Sequence, residues 1–171
     1  MLEEKVLLHA TLCFPVSDVR VLLGVKMKMK KIGAGCRNGW GGGSDFGETA
    51  SESIVRKVYE KGRVRAHPRD FEKVAVVDFT NHKTDGSIFV CRVHTYLLHH
   101  WDGEFRPTTE MADPQWFEKQ NLPLDDMMPA DRIWMPPLMA GRKMFVQASY
   151  GPFQKTLLGE VKIRYIDQLA P

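Results

Sequence analysis

The amino-acid sequence predicts an α/β fold in which a mixed β-sheet is flanked by helices. Most of its apolar runs have the length and the residue types of strands. Only two segments, one in the middle of the chain and one near its C-terminus, have the pattern of a helix. Many strands with two separate helices are typical of a sheet that carries helices on its faces. No repeat or linker interrupts the chain, so residues 1–171 are expected to form a single domain.

The first part of the chain is predicted to contain two strands and a glycine-rich loop. Residues 6–14 and 19–25 are apolar runs, and the Pro-Val-Ser-Asp segment between them indicates a hairpin. The loop covers residues 26–48. Its many glycines disfavour regular structure, apart from a short strand expected at 38–41.

A helix is expected to follow this loop. Thr49 and Glu52 have the spacing of a capping box, in which each side chain bonds to the backbone of the other residue. An apolar stripe with helical spacing is formed by Ile54, Val55 and Val58. Gly62 is interpreted as the residue that stops the helix.

The remainder of the chain is predicted to supply further strands and the second helix. Asp85 and Gly86 are a turn signal between two of these strands. The expected strands cover residues 71–80, 88–98, 144–150 and 160–166, with a short strand end at 115–117. The second helix is expected at 131–140, where Pro136 and Pro137 limit its regularity.

Composition favours a small-molecule ligand and a reducing compartment. The net charge of +3 does not indicate a nucleic-acid polymer as partner, since such proteins have a concentrated basic face. The three cysteines are widely spaced and form no CxxC pair, so a cytoplasmic protein with reduced thiols is expected. No stretch approaches the roughly 20 apolar residues that cross a bilayer, so no membrane partner is predicted. Nothing in the sequence indicates the oligomeric state.

The strongest functional pattern lies in residues 42–64. Gly42 is followed by Glu48 and Arg56, and then by Val58 and Glu60, at spacings that resemble the signature of the Nudix hydrolases. Other motifs occur in the order found in the Nudix enzymes that hydrolyse oxidised purine nucleoside triphosphates: LLG.K, GAG..NG.GG, EM....WF and LP..DM.P.D..W.P. The resemblance covers roughly residues 20–137.

This resemblance implies an α/β/α sandwich around a mixed sheet. It also implies hydrolysis of a nucleoside triphosphate, or a related diphosphate compound, to a monophosphate and pyrophosphate. In such a site glycines let the backbone approach a diphosphate, and helix glutamates hold Mg²⁺ or Mn²⁺. The residues implied at the phosphates are Gly41 and Gly42. The catalytic residues implied are Arg56, Glu60 and Glu110, and the metal ligands are Gly42, Glu60 and Glu110.

Two lysines interrupt the pattern. Lys57 and Lys61 stand where the family has the glutamates that bind the metal most directly. An ammonium has three donors and no lone pair, so it cannot ligate a cation. Two lysines four residues apart also repel one another by about 0.2–0.5 kcal/mol on an exposed helix.

Three interpretations of these lysines are open. The enzyme could work with a rearranged metal site built from Glu60 and Glu110. The lysines could inactivate an otherwise ordinary nucleotide hydrolase. Alternatively, the ammoniums of Lys57 and Lys61 could bind a diphosphate directly, giving a metal-independent nucleotide-binding domain without hydrolysis. On most helices such lysines are solvated surface residues, but the surrounding pattern places them facing the glycine loop.

Asn38 and Asp131 are the candidate ligands of the base. The resemblance implies that both read the edge of a purine, a task for which an amide and a carboxylate supply donors and acceptors. Asn38 equally suits a turn beside Gly39, and Asp131 equally suits a helix N-cap. Arg37 and Met128 stand where the related enzymes have tryptophans, so selectivity for an oxidised base is not implied.

Lys26 is the remaining candidate for binding the substrate. Together with Lys28, Lys30 and Lys31 it forms a basic segment that could reach phosphates. The alternation of these lysines with methionines also suits the end of a strand with one solvated face.

Overall fold

The structure is a computed structural model that describes residues 6–27 and 32–170. Lys28, Lys30 and Lys31 of the predicted basic segment lie outside the described residues. In the part of the chain that is described, no helix is long and apolar enough to cross a membrane.

Nine strands and two α-helices occur among the described residues. The strands are Val6–Pro15 (β1), Arg20–Lys26 (β2), Arg37–Asn38 (β3), Trp40–Gly43 (β4), Phe71–His82 (β5), Ile88–Leu98 (β6), Met111–Glu118 (β7), Lys143–Tyr150 (β8) and Lys162–Ile166 (β9). The helices are Ala50–Gly62 (α1) and Asp131–Met139 (α2). Short 3-10 helices cover Pro68–Asp70, Leu124–Asp126 and Pro152–Gln154. Both predicted helices are confirmed, as are the predicted strands apart from the one at 38–41, with boundaries that differ by a few residues.

The strands form two sheets. The larger sheet has six strands in the order β4-β1-β6-β5-β8-β9. Within it the pairs β1–β6 and β5–β8 are parallel and the other pairs are antiparallel, so the sheet is mixed, as predicted. The smaller sheet has the antiparallel order β3-β2-β7.

The two α-helices cover opposite faces of the larger sheet. Cys13 of β1 packs in one hydrophobic cluster with Ile54 and Val58 of α1. The next residue, Phe14, packs in a second cluster with Trp134 of α2. Because successive residues of a strand point to opposite faces, the helices lie on different sides of the sheet. The α/β/α sandwich is therefore confirmed.

The predicted hairpin between residues 6–14 and 19–25 is wrong. β1 and β2 follow each other closely, but they meet only in a single bridge between Val16 and Val21. β1 pairs with β4 along one edge and with β6 along the other. The chain therefore turns away after β1 and starts the smaller sheet with β2.

The single strand predicted at 38–41 is divided at Gly39 between β3 and β4, which belong to different sheets. A Cβ at Gly39 would overlap the carbonyl oxygen of Cys13, and a Cβ at Gly41 would overlap that of Thr11. Glycine at both positions therefore allows the backbone to pass directly against β1.

Helix α1 begins at the predicted capping box. Thr49 Oγ1 accepts a hydrogen bond from Glu52 N at 3.1 Å, and Glu52 Oε1 accepts one from Thr49 N at 3.4 Å. The helix ends at Gly62, as predicted, but the left-handed cap residue is Arg63, with φ of 63°. Gly62 instead has a packing role, because a Cβ there would lie 2.7 Å from the ring of Phe105.

Strand β7 is longer than the strand end predicted at 115–117. Asp113 has a φ of 47°, and the pairing of β7 with β2 shifts register at this point. Arg37 of β3 stabilises the irregularity. Its Nη2 lies 2.6 Å from Asp113 Oδ2, and its guanidinium is 5.3 Å from the centre of the Phe117 ring.

Candidate functional site

A cavity of about 280 Å³ lies against the larger sheet, between the glycines of β4 and the start of α2. Its apolar surface comes from alternate residues of β1, β5 and β6: Ala10, Leu12, Val77, Phe79, Cys91 and Val93. Its polar lining contains most of the residues expected at the site: Lys26, Asn38, Gly41, Gly42, Lys61, Glu110 and Asp131. Arg56, Lys57 and Glu60 lie beside the cavity and do not line it.

One end of the cavity is formed by the glycines of β4 and the C-terminal half of α1. Lys61 Nζ donates a hydrogen bond to Gly41 O at 2.5 Å. A Cβ at Gly42 would lie 2.8 Å from Lys61 Nζ and 3.2 Å from Lys57 Cε. The Lys57 side chain is only 16% exposed, so it is not a solvated surface residue. Both lysines lie against the glycine turn.

Arg56 connects the start of α1 to the same turn. Its guanidinium binds both carboxylate oxygens of Glu48, at 2.7 and 2.9 Å, and Glu60 Oε1 at 2.9 Å. It also donates to Gly43 O at 3.3 Å. The hydrogen bonds from Arg56 lower the pKa of Glu48 to about 2 and also lower the pKa of Glu60. Arg56 therefore organises the helix and keeps both carboxylates ionised.

The structure does not bring Glu60 into the cavity with Glu110. Glu110 lines the cavity, whereas Glu60 is held by Arg56 and lies 3.6 Å from Lys57 Nζ. Among residues 6–27 and 32–170 there is no group of three or more His, Cys, Asp or Glu side chains that could hold a metal ion. A metal site rearranged around these two glutamates finds no support in this geometry.

The electrostatics at the glycine turn also oppose a divalent cation. Two like unit charges about 4 Å apart repel by about 4 kcal/mol at an effective dielectric constant of about 20, and a divalent ion doubles this. The ammonium of Lys61 already lies on the Gly41 carbonyl, with the Lys57 side chain beside it. The residues present therefore do not fit the magnesium ion that the sequence resemblance implies.

The other end of the cavity lies at the start of α2. Asp131 is only 4% exposed, and its Oδ1 accepts a hydrogen bond from Trp134 Nε1 at 3.0 Å. Burial raises the pKa of Asp131 to about 7, against the opposing effects of Trp134 and the charge of Lys26. Near neutral pH this carboxyl group can therefore be a donor or an acceptor. It does not cap the helix, whose N-cap is Ala130.

Asn38 and Lys26 also line the cavity. Asn38 Oδ1 accepts a hydrogen bond from Gly39 N at 2.8 Å, so this side chain supports the turn and also lines the cavity. Lys26 lies against Gly33, where a Cβ would be 3.4 Å from its Nζ and 3.2 Å from Met128 Sδ. Lys26 therefore contacts the side of the cavity that contains Met128.

Gln154 is a cavity residue that the sequence does not indicate. Its Nε2 donates to Asn81 Oδ1 at 2.8 Å. It has a φ of 55° and follows Phe153 at 57°, a conformation uncommon for residues other than glycine, asparagine and aspartate. No local motif marks this turn. The apolar lining residues Val77 and Phe79, in contrast, could have been found from the alternation of the strand that contains them.

Comparison with known proteins identifies the family. No protein-family model matches the chain. The oxidized purine nucleoside triphosphate hydrolase of Mus musculus is 33% identical over 133 residues, which are 78% of this chain and 80% of the mouse protein. The protein of the same name from Danio rerio is 33% identical over 144 residues, 84% of this chain and 85% of the fish protein.

The fold is shared with the solved structure of a MutT protein. The mutator MutT protein from Bacillus halodurans matches with a TM-score of 0.73 at 18% identity, covering 91% of this chain and 97% of that chain. The α/β/α sandwich of this chain is thus the fold of that MutT protein. The chain belongs to the Nudix hydrolase family, whose members generally use a divalent metal.

Proposed function

We propose that the chain binds a nucleoside triphosphate, oxidised or unmodified, or a related nucleoside diphosphate compound. We propose further that its magnesium-dependent hydrolysis to a monophosphate and pyrophosphate is reduced by orders of magnitude. The observation that carries this proposal is the contact of Lys61 Nζ with Gly41 O, at the turn where the family approaches the phosphates.

Nucleotide binding is supported by the distribution of polar groups around the cavity. Asn38 and Asp131 supply an amide and a carboxyl group to the lining, whereas Gly41, Gly42 and Lys61 supply backbone and positive charge. Apolar side chains lie between these groups. A mostly apolar cleft with a few convergent polar groups is the usual form of a small-molecule site.

The reduced rate of hydrolysis is supported by the side chains that α1 presents. Metal-assisted hydrolysis needs a Lewis acid that stabilises the developing charge and activates water, and lysines at residues 57 and 61 cannot ligate that ion. Glu60 is a poor replacement as general base, because Arg56 lowers its pKa and holds its carboxylate. Every 1.4 kcal/mol of lost transition-state stabilisation slows the reaction about tenfold, so a loss of several kcal/mol removes orders of magnitude.

The expected partner is a free nucleotide in the cytoplasm. A cavity of about 280 Å³ suits one small molecule better than a nucleic-acid polymer. The free thiols of Cys13, Cys36 and Cys91 support a reducing compartment.

The proposal is tested by titrating a panel of purine and pyrimidine nucleotides and assaying pyrophosphate release with Mg²⁺ and with Mn²⁺. We expect binding of at least one nucleotide and turnover far below that of the mouse relative in the same assay. Asn38→Ala should weaken binding, whereas Asn121→Ala, at an exposed position, should not. Turnover equal to that of the mouse enzyme, or the absence of any binding, would contradict the proposal.

A further inference from the structure

We propose that Gln154 is a specificity-determining residue of the cavity, whose side-chain oxygen accepts a hydrogen bond from an amino group on the base of the nucleotide. This inference rests on the proposed function, since it names a feature of the ligand that the same cavity selects. Gln154 lies outside the part of the chain that carries the family motifs, roughly residues 20–137.

The side chain of Gln154 is held in one orientation by a chain of hydrogen bonds. Asn81 Nδ2 donates to Phe79 O at 3.0 Å. Because a backbone carbonyl only accepts, this bond turns the Asn81 amide so that its Oδ1 is left as an acceptor. Gln154 Nε2 donates to that oxygen at 2.8 Å. Asn81 is only 5% exposed, so the pairing of the two amides is shielded from water.

This orientation leaves the oxygen of Gln154 available to a ligand. The amide nitrogen is used by Asn81, and no residue within 6–27 or 32–170 donates a hydrogen bond to Gln154 Oε1. The buried side-chain polar atoms that have no partner in these ranges belong to other residues, so Oε1 is accessible. Gln154 therefore supplies a fixed acceptor to the cavity that it lines.

The backbone that carries Gln154 is fixed in an unfavourable conformation. Phe153 and Gln154 have φ of 57° and 55°, in the left-handed region. Gln154 N donates to Gly151 O at 3.1 Å, and Gly151 N closes the turn by donating to Thr156 O at 2.8 Å. Left-handed residues with a Cβ cost free energy and occur preferentially where function requires a side chain to be placed. The strain in this turn is consistent with a binding role for Gln154.

The surroundings of the acceptor make it selective. Val77 and Phe79 give the same cavity an apolar surface. In such a cleft an acceptor that loses its water and meets no donor costs free energy. A site built to bind an N–H group therefore rejects an analogue without that group more strongly than one that differs only in apolar size. A base with an exocyclic amino group supplies the donor that Gln154 Oε1 requires.

The experiment is isothermal titration calorimetry of the full chain with pairs of nucleoside triphosphates that differ in whether the base carries an exocyclic amino group. The pairs are the triphosphates of adenosine and purine riboside, of guanosine and inosine, and of cytidine and uridine. We expect the amino-bearing member of at least one pair to bind about tenfold more tightly, the effect of one hydrogen bond whose loss leaves an acceptor unpaired. In Gln154→Leu this ratio of dissociation constants should fall to about one.

Gln154→Glu separates the acceptor from the contact with Asn81. Both substitutions remove the hydrogen bond that Gln154 donates to Asn81, but only glutamate keeps an acceptor. Its negative charge acts alike on the two members of a pair, which carry the same triphosphate, so the ratio should persist in Gln154→Glu. Gln120→Leu, at an exposed position after β7, is the matched control and should keep both the affinities and the ratio.

The outcomes separate this inference from the proposed function. A ratio that is unchanged in Gln154→Leu, or that is lost in Gln154→Glu as well, overturns the inference alone. Nucleotide binding with no preference for the amino group in any pair does the same. If the unmodified chain binds no nucleotide, both are overturned. If Gln154→Leu does not fold, as judged by circular dichroism, Gln154→Met takes its place, since methionine has a similar length and also lacks the amide acceptor.

Discussion

Two kinds of charged residue on α1 have separate roles. Arg56 joins Glu48, Glu60 and the turn at Gly43 in one hydrogen-bonded network, which positions the helix against the loop. The lysines next to this network change the charge presented to the cavity without breaking it. The network at Arg56 is therefore compatible with lysines at residues 57 and 61.

Asp131 makes the stability of the protein depend on pH. Its pKa is about 7 in the folded chain against an ordinary value of 3.8, so the folded state retains a proton that the unfolded state releases. The stability it contributes is fully present below pH 3.8 and is lost as the pH rises to about 7. Asp131→Asn keeps an acceptor for Trp134 and removes the titration. Between about pH 5 and about pH 8 the unmodified chain should lose on the order of a few kcal/mol relative to this variant.

Urea unfolding of both proteins across this pH range is the measurement. His94 titrates with the opposite sign, because burial lowers its pKa to about 4 from 6.5, so its contribution is present above pH 6.5 and is lost as the pH falls through about 4. This effect is common to both proteins and cancels in the difference. Parallel stability profiles for the two proteins would contradict the raised pKa of Asp131.

At the scale of elements, two glycines of β4 differ in whether the fold has room for a side chain at their positions. A Cβ at Gly41 would overlap the backbone of Thr11 in β1, whereas a Cβ at Gly43 would meet no atom within 4 Å. We expect Gly41→Ala to destabilise the fold by about 3 kcal/mol or more, since backbone must move to relieve the overlap. Gly43→Ala should lie within about 0.5 kcal/mol of the unmodified chain. Chemical denaturation of the two variants measures their free energies of unfolding. Equal values would contradict the close approach of β4 to β1 at Gly41.

The C-terminus of α1 is capped by a residue in an unfavourable conformation. Arg63 is left-handed, which costs a residue with a Cβ roughly 1 kcal/mol, and its stacking at 5.7 Å on Tyr59 offsets part of this. Arg63→Gly should therefore raise the melting temperature by about 1–3 °C. Arg65→Gly is the control, because Arg65 also stacks on Tyr59, at 4.3 Å, without a positive φ. Arg65→Gly should lower the melting temperature, because it removes this stacking without relieving a strained backbone. A similar drop for Arg63→Gly would contradict the proposal that the left-handed backbone of Arg63 is strained.

Sequence patterns predicted where the helices and strands lie better than they predicted which strands pair with one another. The capping box at Thr49 and the strand at 88–98 depend on residues close in sequence, and both are found as predicted. The hairpin at the N-terminus and the strand across Gly39 depend on which edges of β1 are occupied, and local sequence carries no information about that. Strand β7 was underestimated because Asp113 interrupts its pattern, and the stabilising Arg37 comes from a distant part of the chain.

At the scale of the whole molecule, the cavity exists because both sheets and both helices contribute to it. The motif residues Gly41, Lys61 and Asp131 could be named from the sequence, because family spacing marks them. The sequence could not predict that Gln154 and the apolar lining residues share this cavity, since they lie on strands and turns far apart in the chain. The position of Lys61 on Gly41 O likewise follows only from the packing of α1 against β4.

The distribution of the cavity lining over both helices also belongs to this scale. Asp131 is buried beside Trp134 at the start of α2, whereas Lys61 lies near the end of α1, and both line the same cavity.

The role of the two lysines is tested most directly by the double substitution of Lys57→Glu and Lys61→Glu, assayed by magnesium-dependent pyrophosphate release from a nucleoside triphosphate. We expect a rate higher than that of the unmodified chain by orders of magnitude, abolished by EDTA, because carboxylates at these positions can ligate the ion. The control is Lys155→Glu with Lys162→Glu, which makes the same change of charge at exposed positions and should leave the rate unchanged. A folded Lys57→Glu, Lys61→Glu variant with no gain in turnover would contradict the central claim that these two lysines suppress the chemistry of the family.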